Sequence, residues 1–81
     1  MSRVSVRLFA GAAEAFGGTE AELDGVATLA DLSDALAGDD ARLREVLDQC
    51  SFFVDGEHQR ELDTALPDSC KVDVLPPFAG G

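Results

Sequence analysis

The chain has 81 residues and a formal net charge of −10, from 16 acidic and 6 basic side chains. That length sets one domain, which buries only a little over ~60% of the surface its unfolded chain exposes and leaves no room for a buried catalytic cleft. The acidic balance argues against nucleic acid and anionic membranes as partners, and for basic protein partners or simple solubility.

With 46% hydrophobic and 27% charged residues the chain reads as globular. No apolar run approaches the ~18 residues of a membrane span. Met1-Ser2-Arg3-Val4 leads straight into an alternating segment, so no signal peptide is expected and the location reads as cytoplasmic. Cys50 and Cys70 are far apart and form no metal-type pair, which fits reduced thiols in a reducing compartment.

Residues 3–8 alternate strictly, with Val4, Val6 and Leu8 on one face and Arg3, Ser5 and Arg7 on the other, the mark of a half-buried strand. Residues 10–18 are small; one helical turn is expected over 12–16, stopped by Gly17-Gly18. Residues 19–24 alternate again, with Ala21 and Leu23 inward. Antiparallel to the first strand, this segment would set Glu20 and Glu22 opposite Arg3 and Arg7, each pair adding up to ~1 kcal/mol. Thr28-Leu29-Ala30-Asp31 opens a helix with a capping-box-like start; Leu29, Leu32 and Leu36 form its apolar stripe and Gly38 ends it. A further helix starts at Asp39 or Asp40, buries Leu43, Val46 and Leu47, and runs to about Gln49.

Residues 51–54 read as a third strand, Asp55-Gly56 as a tight hairpin turn, and residues 57–60 as a short polar strand at an edge. Leu66 anchors the connector that follows. Residues 71–75 form the last strand, with Val72 and Val74 inward. The order strand, strand, helix, helix, strand, strand, strand makes one mixed sheet on a helical layer. With the first and last strands parallel and adjacent, this is the α+β arrangement of the ubiquitin-like β-grasp: about five strands against one or two helices. Residues 1–75 form the domain and 76–81 a tail.

That tail, Pro76-Pro77-Phe78-Ala79-Gly80-Gly81, is where chemistry is expected. The prolines stop any ladder or helix. Two glycines can thread a channel that any Cβ would block, which makes the α-carboxylate of Gly81 the reactive group. By parity Leu75 points outward with Phe53 on the neighbouring strand, and Phe78 follows, giving an apolar docking patch at the tail root; the alternative is that Phe52 and Phe53 exchange faces. His58, the one histidine, has no convergent ligands, so no metal is expected. Cys50 and Cys70 fall near opposite ends of neighbouring strands, roughly 13 Å apart at ~3.3 Å per residue, too far for a disulfide.

These segments carry a resemblance over the whole chain. Val4-Ser5-Val6-Arg7-Leu8-Phe9-Ala10, the leucine helix, Val54-Asp55-Gly56 and the ending Val72-Asp73-Val74-Leu75-Pro76-Pro77-Phe78-Ala79-Gly80-Gly81 resemble the small, sulfur-carrying subunit of molybdopterin synthase. That family is akin to the thiazole-pathway sulfur carriers, and both look like ubiquitin. The resemblance implies a chain that is not catalytic alone. An adenylating enzyme would spend ATP on the Gly81 carboxylate, with Gly80 beside it. A sulfur donor protein would convert it to a thiocarboxylate, and the large subunit would receive the tail through Phe53, Leu75, Pro76, Pro77, Phe78 and Ala79. No cofactor is implied on this chain. Asp55 stands where the family usually has Asn, and Asp68-Ser69-Cys70 where it usually has Asp-Gly-Asp. A carrier for thiazole or cysteine synthesis and a ubiquitin-like modifier of lysines remain alternatives.

Overall fold

A computed structural model describes residues 3–77. The elements run β1 (Arg3–Leu8), α1 (Ala10–Phe16), β2 (Glu20–Asp24), α2 (Leu29–Ala37), α3 (Ala41–Gln49), β3 (Ser51–Val54), β4 (Glu57–Gln59) and β5 (Ser69–Leu75). The strands make one mixed sheet in the order β2-β1-β5-β3-β4. Its centre is the parallel pair β1 and β5, in which Val6 sits beside Val72 and Leu8 beside Val74. The other pairings are antiparallel. This is the expected β-grasp arrangement, with three helices rather than one or two.

The period-two pattern explains the layering. Val4, Val6, Leu8, Phe52, Val54, Cys70, Val72 and Val74 are all buried on one face, where Leu29, Leu32, Leu36, Leu43 and Leu47 of α2 and α3 cover them. Phe52 is therefore the core residue and Phe53 faces outward, so the two do not exchange faces. Leu66 is buried as expected.

Caps set the helix starts. The Thr28 hydroxyl accepts from the Asp31 N–H at 3.2 Å, and the Asp31 carboxylate accepts from the Ala27 N–H, one residue before the cap. Two further donors at the α2 start, the Leu29 and Ala30 N–H groups, reach the Thr64 and Leu62 carbonyls of the connector, which ties that long segment to the helix. Asp40 caps α3, its carboxylate accepting from the Arg42 and Leu43 N–H groups at 3.0 and 3.1 Å. The turn after α1 closes in the left-handed region at Gly17, with φ 88°. α1 is two residues longer than the expected turn because it begins at Ala10, which itself carries φ 50°; a run of small residues carries little periodic signal to mark that start.

The cross-strand charge pairs differ from expectation. Arg7 does lie opposite Glu20, but Glu22 faces Ser5 and Arg3 faces Asp24. The Arg3 guanidinium approaches Asp24 at 3.6 Å, with both side chains well exposed. Arg7 turns the other way, to Asp73 on β5. A central strand has two neighbours, and the aspartate offers Arg7 a two-point contact that Glu20 does not make.

Candidate functional site

The site is built around the end of β5. Leu75 is the last strand residue and pairs with Ser51 of β3, while Phe53 pairs with Asp73. Phe53 and Leu75 are thus diagonal neighbours on the outward face, a spacing of about 7–8 Å, and both are half-buried. The Phe53 ring is covered on one side by His58 of β4, stacked at 4.8 Å between centroids. On the other flank, Leu8 lies beside Val74, so Phe9 is level with Leu75; its N–H donates to the Val74 carbonyl. Phe9 is 37% exposed, and the Arg7 guanidinium sits 5.7 Å from its ring centroid. Phe9, Leu75 and Phe53 therefore form an apolar strip across three strands, next to the point where the tail leaves.

Arg7 and Asp73 border that strip with two parallel hydrogen bonds, Nε to Oδ1 at 2.9 Å and Nη2 to Oδ2 at 3.1 Å. The hydrogen bond and the charge of Asp73 push the Arg7 guanidinium further up from its ordinary value. The pair cancels two charges beside the apolar strip and fixes the Arg7 side chain over Phe9.

Below the sheet end the tail root is anchored. Pro76 is buried and Pro77 exposed. Parity explains this: Val72, Val74 and Pro76 share one face. Pro76 and Pro77 line an apolar groove of about 310 Å³ together with Gly11 of α1 and Arg42, Glu45, Val46 and Gln49 of α3. Of the expected partner-binding residues, Phe53 and Leu75 thus stand together on the outward sheet face, Pro77 is exposed at the groove, and Pro76 is buried against its own domain. The remaining expected residues, Phe78, Ala79, Gly80 and Gly81, lie outside the described residues. Phe9 and the groove were not anticipated. The same alternation that assigns Arg7 outward assigns Phe9 outward, so Phe9 was within reach of the sequence; the groove joins three segments far apart in the chain, around Gly11, Arg42 to Gln49 and Pro76-Pro77, and was not.

The turn opposite the tail end is held by one side chain. Asp55 (φ 50°) and Gly56 (φ 88°) both occupy the left-handed region, the conformation a two-residue hairpin needs. The Asp55 N–H donates to the Lys71 carbonyl at 2.8 Å, and the Asp55 carboxylate accepts from the Lys71 N–H at 3.0 Å. An aspartate at this position thus provides the same acceptor and the same backbone tolerance as an asparagine.

Both cysteines are free thiols. The Cys50 thiol donates to the Val46 carbonyl at 3.0 Å, and burial pushes it up from its ordinary value. Burial, and then the charge of Asp55, push Cys70 up as well. Neither has the electropositive, exposed setting of a reactive cysteine. Among the described residues no three His, Cys, Asp or Glu side chains gather as a metal ligand set, and no helix is long and apolar enough to cross a membrane.

The sequence model of the ThiS family matches residues 6–81, from the first strand through the terminal Gly-Gly. The chain belongs to the ThiS family. Solved structures place this ThiS-family member beside two kinds of protein. The crystal structure of SAMP1 from Haloferax volcanii is 28% identical, with a TM-score of 0.80 over 99% of this chain and 100% of that one. Subunit 1 in a complex of subunits 1 and 2 of molybdopterin-converting factor from Helicobacter pylori 26695 gives 25% identity and a TM-score of 0.70, over 98% of this chain and 99% of the matched chain. A putative molybdopterin converting factor subunit 1 from Pyrococcus furiosus shares the fold, with a TM-score of 0.81 at 24% identity over 96% of this chain and 100% of that chain. No curated protein sequence matched the chain significantly.

Proposed function

We propose that this ThiS-family chain carries sulfur for molybdopterin synthesis on the carboxyl group of Gly81. The observation that carries this reading is the family match extending through Gly80-Gly81, behind β5, whose last residue Leu75 lies on the outward face diagonal to Phe53 of β3. A carboxylate is a poor acyl donor. In the proposed cycle it attacks ATP on an adenylating partner, pyrophosphate leaves, and Gly81 becomes an acyl-adenylate. A persulfide sulfur from a donor protein then attacks the carbonyl and AMP departs. Reductive cleavage of the resulting S–S bond by a thiol leaves the thiocarboxylate, a nucleophile carried on a terminus.

The large subunit of molybdopterin synthase is the proposed acceptor of the tail. The Helicobacter complex of subunits 1 and 2 supports a two-subunit assembly, and the strip of Phe9, Phe53 and Leu75 offers an apolar surface beside the tail root. The net charge of −10 favours basic surfaces on these partners. In this reading the chain works in the cytoplasm, binds no cofactor of its own and is not catalytic alone; ATP and the pterin belong to its partners.

A second reading is favoured by the 28% identity to SAMP1 from Methanosarcina acetivorans, described as a small archaeal modifier protein: attachment of Gly81 to lysines of other proteins. Intact mass spectrometry of the chain from its own cells separates the two. A carrier appears as the free chain with one oxygen replaced by sulfur. A modifier appears in conjugates whose tryptic digests carry the peptide of residues 72–81 on lysine, since Lys71 is the last basic residue of the sequence. Detection of such conjugates without any thiocarboxylate would replace the first reading with the second.

A further inference from the structure

The sheet ends in two edge strands, β2 and β4. β4 has only three residues. β2 has five, contains no proline, and keeps an unbroken register with β1. Prolines and bulges are what spoil an edge for pairing, so β2 retains the geometry to accept another strand. The Leu8 N–H donates to the Thr19 carbonyl at 2.9 Å. Directly opposed residues of an antiparallel pair alternate between bonded and non-bonded. Val6 with Ala21 and Val4 with Leu23 are therefore bonded, whereas Arg7 with Glu20, Ser5 with Glu22 and Arg3 with Asp24 are not. The backbone N–H and C=O groups of Glu20, Glu22 and Asp24 consequently point away from β1, to the free edge. None of them bonds to another element among the described residues.

The same three residues are exposed. Their carboxylates share the outward face and recur about 6.8 Å apart, at ~3.4 Å per residue. Arg3 reaches Asp24 only at 3.6 Å, with both side chains well exposed, and Arg7 is held by Asp73. Glu20 and Glu22 take no ion pair among the described residues. A second copy of the chain does not suit this edge. In an antiparallel β2–β2 pair centred on Glu22, Glu22 meets Glu22 and Glu20 meets Asp24. Like charges directly opposite one another destabilise a ladder, and opposite charges stabilise it. Cationic residues at the same places reverse the sign of every pair.

We propose that the β2 edge is a second interaction surface, which adds an extended basic segment of a partner protein to the five-stranded sheet. The segment carries Lys or Arg at alternate positions. These residues exchange backbone hydrogen bonds with Glu20, Glu22 and Asp24, and their side chains lie across from the three carboxylates. The edge is two strands away from β5, and nothing in its pairing depends on the chemistry at Gly81.

The test titrates the full chain, labelled for NMR, with three end-capped peptides of equal charge. One alternates lysine and valine, with three lysines. The second has the same composition with its lysines contiguous. The third is the alternating peptide N-methylated on its central lysine, which keeps the charge and removes a ladder hydrogen bond. The alternating peptide is expected to bind roughly tenfold or more tightly than either other peptide, because main-chain pairing and charge act together. It should slow exchange of the Glu20, Glu22 and Asp24 amides and leave those of Ala21 and Leu23, already bonded to β1, little changed. The double variant Glu20→Lys, Glu22→Lys, exposed changes whose fold a thermal melt checks, is expected to lose this binding. Equal affinity for the three peptides would overturn the proposal by reducing the edge to a diffuse negative field. So would failure of the alternating peptide to protect the three amides, or wild-type affinity in the folded double variant. If that variant does not fold, the peptide comparison on the wild type decides alone.

Discussion

Adjacent residues at the end of β5 should respond in opposite ways to substitution. Val74 is fully buried, and Val74→Ala removes two methyl groups from a site flanked by Leu8 and Phe52. At ~0.8 kcal/mol per buried methylene plus a cavity term, the loss is about 2–3 kcal/mol. In a domain of this size that lowers the melting temperature by roughly 10–20 °C. Leu75 is half-buried on the opposite face. Leu75→Glu leaves the core intact and adds one carboxylate two residues from Asp73, itself engaged by Arg7, so its cost should stay under ~1 kcal/mol. Its effect belongs to binding: a charge placed in the desolvated centre of an interface typically costs at least 2 kcal/mol, about thirtyfold or more in affinity. Urea unfolding and titration against the large molybdopterin synthase subunit measure the two quantities on the same samples. Leu75→Glu destabilising the fold as much as Val74→Ala would show that Leu75 belongs to the core. Unchanged affinity with unchanged stability would remove the outward strip from the interface.

Asp55→Ala should cost about 1–2 kcal/mol, because the Lys71 N–H loses its acceptor and alanine fits the left-handed region poorly. Asp55→Asn should stay within ~0.5 kcal/mol of wild type, as thermal melts would show. Asp40→Ala should cost about 1 kcal/mol by freeing two N–H groups at the α3 start. Both thiols have raised pKa values in the folded chain, so the protonated thiol favours the fold. That contribution is complete below the unfolded thiol value and is lost as pH rises through the folded ones, in the alkaline range above about pH 9. Iodoacetamide at pH 8 should accordingly alkylate Cys50 and Cys70 much more slowly in the native chain than in urea; equal rates would place an accessible thiolate in the fold.

Most of this architecture could be read from local patterns because local physics decides it. Val4, Val6 and Leu8 alternate because one face of β1 is buried. Thr28 and Asp40 precede helices because their side chains satisfy N–H groups that have no helical partner. Asp55-Gly56 marks a hairpin because both residues must turn left-handed. The outward direction of Leu75 and Phe53 came from the same parity. Three features were less legible, for different reasons. The choice of Asp73 over Glu20 by Arg7 depends on which strands flank β1 on both sides and how their side chains compete, a property of the assembled sheet. Pro76 follows the inward parity of Val72 and Val74, but a proline after a strand reads first as a break. The groove of Gly11, Arg42, Val46 and Pro77 exists only once α1, α3 and the end of β5 have packed together.

The central claim is that the carboxyl group of Gly81 carries the sulfur, and removal of that single residue tests it most directly. In a sulfur-transfer reaction reconstituted with an adenylating enzyme, ATP, a persulfide donor and the large subunit, deletion of Gly81 retracts the terminus by about 3.3–3.6 Å. Misplacement of a reacting group by even ~1 Å can cost a hundredfold in rate. The account predicts loss of transfer with stability within about ±0.5 kcal/mol of wild type. Normal transfer by the truncated chain would contradict the account and move the sulfur to a cysteine.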